Sequence, residues 1–242
     1  MKANEMKPKL RVVLGATCYV DAEATMHLSI QLARLVGAEI HGVLVNDGTV
    51  FSAARASSTR TVTFSGETSV NVTVEAISSA FRSDARMFEQ RLKIRADKAT
   101  LNSGFSTQDG KLFPALEHLS KPGDYAVLGF RRAIYDGDCL FVALGENENF
   151  DNHLKLAVQL STRLAKPIII SASPSFHGAI KGWFSQTITP LPAMVSYTGT
   201  SGLLSQLETL SPVAVLMATG QHYRAPLAQI IDAARCPVIV PT

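Results

Sequence analysis

The chain has 242 residues, 46% of them apolar, with a formal net charge of +3 and a pI near 8.8. That length suits one large α/β domain or two smaller ones, and no apolar run approaches the roughly 18 residues of a membrane span. Residues 1–132 carry 17 basic and 13 acidic side chains. The two signs interleave, as along Arg82, Asp84, Arg86, Glu89, Arg91, Lys93, Arg95 and Asp97, which describes a solvated helix face and not a nucleic-acid groove. Met1 to Leu10 is charged and has no apolar core, so no secretory signal is expected. Cys18, Cys139 and Cys236 are far apart and fit neither a metal finger nor a disulfide framework. The expectation is a cytoplasmic protein with no membrane or nucleic-acid partner.

The elements follow in chain order. Leu10–Ala16 is a short β-branched run closed by Gly15 and Thr17, and reads as a strand. Asp21 is the expected N-cap of a helix reaching Val36, with Ala24, Leu28, Leu32 and Leu35 on one face and Gly37 as its stop. Ile40–Val45 is a second strand, so the opening is a βαβ unit with a parallel pair and a right-handed crossover. From Asn46 to Asn71 the chain is rich in Ser, Thr, Ala and Gly and reads as a loop without period. A long helix is predicted over Val72–Ala99, with Ile77, Phe81, Phe88, Leu92 and Ala96 as its apolar face. A strand over Asn102–Ser106, a helix over Leu112–Leu119 and a buried strand over Tyr125–Phe130 complete the run.

The pattern then restarts. Leu140–Leu144, a helix from Phe150 to Leu164 and Pro167–Ser171 repeat the strand, helix, strand order. After an irregular stretch interrupted by Gly and Pro come Ala193–Tyr197, a helix over Leu203–Leu210, Val213–Ala218, a helix over Pro226–Ala234 and a last strand, Pro237–Val240. Short matches tie the runs together in order: Leu28–Leu32 with Leu156–Leu160 at an offset of 128, Ala115–Leu119 with Gln206–Leu210 at 91, and Ala126–Leu128 with Ala214–Leu216 at 88. The offset falls by 40 because the second run is shorter between its second and third strands. Only the second run has a helix and strand after its Val-Ala-Val-Leu-Met-Ala segment. The boundary is expected near Arg132–Asp138, giving halves 1–134 and 135–242. The two are expected to form an intramolecular pseudo-dimer and not one continuous mixed sheet. Apolar end strands such as Pro237–Val240 are expected to pair edge to edge between halves or between chains, so a homodimer is a candidate assembly.

Several segments carry a resemblance to the universal stress protein family. They are the opening strand and helix ending Leu32-Ala-Arg-Leu-Val-Gly-Ala-Glu-Ile40, the Tyr125–Phe130 strand, and the close Ala234-Arg-Cys-Pro-Val-Ile-Val240. The resemblance covers nearly the whole chain as a tandem. It implies an α/β doubly wound parallel sheet of the adenine-nucleotide alpha-hydrolase-like kind, with ligand sites at the C-terminal strand ends, where open α/β sheets bind ligands in general. Relatives that bind ATP are expected to end the first strand in an acid and to carry a Gly-x2-Gly-x9-Gly-Ser/Thr phosphate loop. Here Thr17 stands at the acid's position in the first half and Gly145 in the second. Gly129 runs directly into Phe130, Arg131 and Arg132, and Gly220 is followed by Gln-His-Tyr-Arg-Ala-Pro. Both departures put family-type ATP or other nucleotide binding out of favour, and no cofactor is assigned.

The candidate ligand residues are Ala16, Thr17, Gly129, Arg131 and Arg132 at the first half's strand ends, with Gly220, His222 and Arg224 in the second. Arg131 and Arg132 would favour a small anionic ligand, by charge and bidentate hydrogen bonding. His222, Tyr223 and Arg224 offer a titratable donor, a ring and a cation before a helix. Thr198–Gly202 is a turn whose expected cap is Thr200 or Ser201. Cys18, beside the end of the first strand, is the better reactive-thiol candidate and Cys236 a buried residue, and the six histidines show no metal spacing. No catalytic constellation is legible. The expected function is a stress-associated binding or regulatory protein. The alternatives are a nucleotide-hydrolysing enzyme of the related α/β superfamily and a protein-interaction module that uses the 46–71 loop.

Overall fold

The computed structural model describes residues 10–49, 52, 60–62, 69–71, 73–129, 137–145, 150–187, 190–218 and 227–242. The strands are β1 (Arg11–Ala16), β2 (Glu39–Asn46), β3 (Arg60–Val62), β4 (Ser69–Asn71), β5 (Ser103–Asp109), β6 (Tyr125–Leu128), β7 (Cys139–Gly145), β8 (Ile168–Ala172), β9 (Ala193–Ser196), β10 (Pro212–Met217) and β11 (Val238–Pro241). The helices are α1 (Tyr19–Val36), α2 (Val74–Lys98), α3 (Leu112–Leu119), α4 (Asp151–Leu164), α5 (His177–Ser185), α6 (Thr200–Thr209) and α7 (Leu227–Ala234).

Nine strands lie in the order β5-β2-β1-β6-β11-β10-β7-β8-β9. The first four are mutually parallel, and so are the last five. The blocks meet where β6 and β11 pair antiparallel, with Leu128 opposite Val238, Val127 opposite Ile239 and Ala126 opposite Val240. The expectation of two sheets is therefore corrected: there is one continuous sheet with a single direction change. The cause is the edge pairing foreseen for Pro237–Val240. The first block has no strand of its own beyond β6, so β11 takes that edge and fuses the two.

Burial follows from position. β1 and β7 are the middle strands of their blocks, and every residue of β7 is buried. A strand covered on both faces reads as a continuous apolar run, which is why both were legible. Val12, Leu14, Ile40, Val142 and Ile170 face α1, α2, α4 and α5, whereas Val13, Val43, Phe141, Val215 and Val238 face α3, α6 and α7. Both apolar layers run through the junction, Val127 and Ile239 in one and Leu128 and Val238 in the other.

The sequence reading is corrected at two further elements. β3 and β4 form an antiparallel hairpin inside the stretch read as a loop, because three-residue strands leave no period to detect. Within the stretch read as irregular, α5 buries Ile180 and Phe184, one helical turn apart. Its Gly178 and Gly182 face open space, and tertiary packing overrides their poor helix propensity.

One buried carboxylate ties the junction together. Asp124 is 3% exposed, and its side chain accepts from the Arg11 amide at 3.0 Å, Arg11 Nε at 3.1 Å, Arg11 Nη2 at 2.7 Å and the Lys121 amide at 2.9 Å. Its carbonyl accepts from the Thr242 amide at 2.9 Å, and the Thr242 carbonyl accepts from Gly123 at 2.7 Å. The start of β1, the start of β6 and the end of β11 thus share one polar node. Removing one partner of a buried pair leaves the other uncompensated, so Asp124→Ala should cost about 3 kcal/mol. Urea unfolding checks this as a lower midpoint with an unchanged slope.

The His41 ring lies over Gly104, with Nε2 2.9 Å from Ser106 Oγ. Burial, and secondarily the Arg11 guanidinium, hold its pKa below the usual histidine value. The unfolded chain therefore takes up a proton that the folded chain resists, and stability should fall as pH drops below about 6.5. Denaturation midpoints across that range should fall less steeply in His41→Asn than in the wild type.

Candidate functional site

The carboxyl ends of β1, β2 and β6 meet the first turn of α1. Ala16 is the last residue of β1, buried and paired with Leu44. Thr17 follows it and is exposed. The Gly129 amide donates to the Gly15 carbonyl at 3.0 Å, extending the ladder one step past β6. A Cβ on Gly129 would stand 2.7 Å from the Asp21 carbonyl oxygen and 3.3 Å from Thr25 Oγ1, so only glycine lets α1 start directly over this strand end. The structure thus brings Ala16, Thr17 and Gly129 together at one end of the sheet. Arg131, Arg132, Gly220, His222 and Arg224 lie outside the described residues.

Beside this junction is a cavity of about 280 Å³ lined by Thr17, Val45, Asn46, Asp47, Ile77, Ala80, Phe81 and Asp84. β2 delivers Val45–Asp47, and one face of α2 delivers Ile77 to Asp84. Asp84 Oδ2 accepts the Tyr19 amide at 3.0 Å, taking the first backbone donor of α1. Thr17 Oγ1 donates to Asp21 Oδ2 at 3.2 Å. Asp47 Oδ1 accepts the Thr49 amide at 2.9 Å, and this bond holds its carboxyl below the usual range. Asn46 Nδ2 donates to Asp109 Oδ1 at 2.8 Å and ties the rim to β5.

Behind the rim, Tyr19 donates its hydroxyl to Glu23 at 2.7 Å, and Glu23 is ion-paired with Arg95 of α2. Burial, and then Glu23, push the Tyr19 phenol up. The buried atoms Asp21 Oδ1 and Thr25 Oγ1, one helical turn apart, have no hydrogen-bond partner among the described residues.

Two expectations change here. Asp21 is not the cap of α1: Cys18 is the N-cap residue and Asp21 sits in the first turn, because Asp84 reaches across from α2 to the leading amide. Neither Thr200 nor Ser201 caps α6, whose N-cap residue is Gly199, with φ of 88°. The expected preference for an anion rests on Arg131 and Arg132, which lie outside the described residues; the described lining of the neighbouring cavity holds Asp47 and Asp84 and no basic side chain. Cys236 is buried and its thiol is pushed up by desolvation, while Cys18 is half-buried. No group of three metal-ligating side chains occurs among the described residues.

Sequence reasoning missed Asp84, although a signal existed. Positions 77, 81, 84 and 88 follow the three-four spacing of the buried stripe of α2, and an acid in that stripe is out of place unless it meets a partner. Gly129→Ala should displace the start of α1 and cost about 2 kcal/mol, as overpacking does. Urea unfolding of that variant, with circular dichroism to confirm the fold, measures it.

No protein-family model matches the chain, and no curated protein matches it. Among solved structures it is similar to a universal stress protein from Archaeoglobus fulgidus DSM 4304, at 11% identity over 95% of each chain with a TM-score of 0.51. It also matches the cytoplasmic domain of a prokaryotic cation chloride cotransporter, at 9% identity over 96% of this chain and 95% of that one, with a TM-score of 0.46. A provisionally assigned universal stress protein from Pseudomonas aeruginosa UCBPP-PA14 matches at 9% identity over 98% and 94%, with a TM-score of 0.43. The Archaeoglobus match shows the fold: the chain has the α/β architecture of a universal stress protein. No described helix is long and apolar enough to cross a membrane.

Proposed function

We propose that this chain is a ligand-binding regulatory protein of the universal stress protein type, acting in the cytoplasm by binding and not by turnover. Its halves, 1–134 and 135–242, would serve as two strand blocks fused into one sheet. The reversal of strand direction between β6 and β11 supports that division. The cytoplasmic placement rests on the cysteine usage, with no two of the three in a disulfide.

The observation that carries the reading is the cavity at the strand carboxyl ends. Such crevices are where doubly wound sheets hold ligands. Its polar groups are engaged by local backbone or side chains: Asp84 by the Tyr19 amide, Asp47 by the Thr49 amide and Thr17 by Asp21. A lining held this rigidly suits recognition by shape and charge more than proton transfer. Asp47 and Asp84 make this crevice acidic, which disfavours a polyanion, and Thr17 stands where ATP-binding relatives are expected to offer an acid. This supports the view that family-type ATP binding is lost.

A second reading is favoured by the β3–β4 hairpin, which presents an antiparallel ribbon within residues 46–71 on which a protein partner could dock.

A thermal-shift series with ATP, adenosine, inorganic phosphate and small amines tests the first reading. Small neutral or cationic compounds should raise the melting temperature, and ATP should not. Stabilisation follows occupancy, reaching about 2.7 kcal/mol at a hundred times Kd. In Ile77→Trp, which fills the cavity, every such shift should vanish. A strong ATP shift that survives Ile77→Trp would contradict both the site and the loss of ATP binding.

A further inference from the structure

We infer that the cavity between α1, β2 and α2 takes a small ligand carrying an ammonium group on an apolar body. This rests on reading the cavity as the ligand site, and goes further by assigning the ligand's chemistry.

The walls divide into two kinds. Val45, Ile77, Ala80 and Phe81 supply aliphatic surface and one ring, and Asp47 and Asp84 supply two carboxylates. Each carboxylate is held by a neutral amide, which fixes its direction without cancelling its charge: Asp84 Oδ2 by Tyr19, Asp47 Oδ1 by Thr49. An ionised carboxylate has two acceptor oxygens, so the second oxygen of each can take a further donor. Lys111 acts on Asp47, but it is not part of the lining.

A separate observation points the same way. Asp21, joined to the cavity through the Thr17 hydroxyl, keeps a buried oxygen with no donor among the described residues. Thr25, fully buried one turn further along α1, has an unpartnered hydroxyl. Buried acceptors of this kind are costly unless something donates to them. The two carboxylates of the lining, with Asp21 behind Thr17, meet no basic side chain in the lining, and an ammonium group supplies positive charge and donors.

A metal ion fits less well. Calcium takes six to eight oxygen ligands and magnesium demands octahedral geometry, whereas half of this lining is apolar. An organic cation uses both halves, its charge at the carboxylates and its body against Ile77 and Phe81, with a cation–π contribution from the ring.

Three probes of nearly the same shape separate the chemistry: 2-phenylethylamine, 2-phenylethanol and phenylacetate, which are cationic, neutral and anionic near neutral pH. Titration calorimetry on the full chain should rank them in that order, the amine tighter than the alcohol by about tenfold, as expected for a close charge pair. Asp84→Asn keeps an oxygen for the Tyr19 amide while removing the charge. That variant, and Asp47→Asn, should each weaken the amine by about tenfold and leave the alcohol unchanged. If phenylacetate binds as well as the amine, and Ile77→Trp abolishes both, the site stands and the ligand class is wrong. If no probe binds the wild type, or all bind the folded Ile77→Trp variant unchanged, the site reading fails and the inference fails with it.

Discussion

The antiparallel pair of β6 and β11 is the constraint on which the rest of the architecture depends. A parallel sheet cannot end on an exposed apolar strand without inviting unwanted pairing. The first block stops at β6, whose Ala126, Val127 and Leu128 are buried, and the second ends in β11, whose Val238 and Ile239 are buried. Each edge covers the other. Two edges that would otherwise seek a second chain are satisfied within one, and both apolar layers pass through the seam unbroken. The Asp124 node fixes the register, because Arg11 from β1 and Thr242 from the chain's end converge on the same residue.

The seam also sets where ligand chemistry can occur. With β6 and β11 in mid-sheet, the carboxyl ends of the two blocks point in opposite directions, so the cavity described lies at the carboxyl ends of the first block alone. In the first block α2 is 25 residues long and reaches back over the end of β2, placing Asp84 on the leading amide of α1. In the second block the corresponding connection between β8 and β9 holds, among the described residues, a 3-10 turn at Pro174–Phe176 and the nine-residue α5, which packs Ile180 and Phe184 into the core. The cavity lined by acids thus belongs to the block that kept its long helix. Its negative lining follows from α2 supplying a carboxylate where a shorter connection has no residue to offer.

Much of this was legible in the sequence for a plain reason. Strands buried on both faces, such as β1, β7 and β10, must be apolar along their length, and the ordered repeat revealed two runs of them. The apolar Pro237–Val240 run at the chain's end signalled an edge seeking a partner, but not that joining would make one sheet. The rest was hidden by competing physics. Gly178 and Gly182 disguised α5, and the three-residue strands of β3 and β4 are too short to carry a period. Asp84 looked like one more charge on a charged helix, although its spacing from Ile77, Phe81 and Phe88 puts it on the inward stripe. Ala16, Thr17 and Gly129 could be grouped because topology alone brings strand ends together. Asn46, Asp47 and Phe81 could not, because their place in the cavity depends on how α2 crosses β2.

Native-state hydrogen exchange resolved to single amides tests the seam most directly. If β6 and β11 are the shared centre of one cooperative sheet, their amides should exchange only through global unfolding, with the same free energy as those of β1 and β7. Exchange of β11 and β10 through a separate, lower-energy opening, while β1 and β6 stay protected, would show two independent sheets in contact and contradict the account.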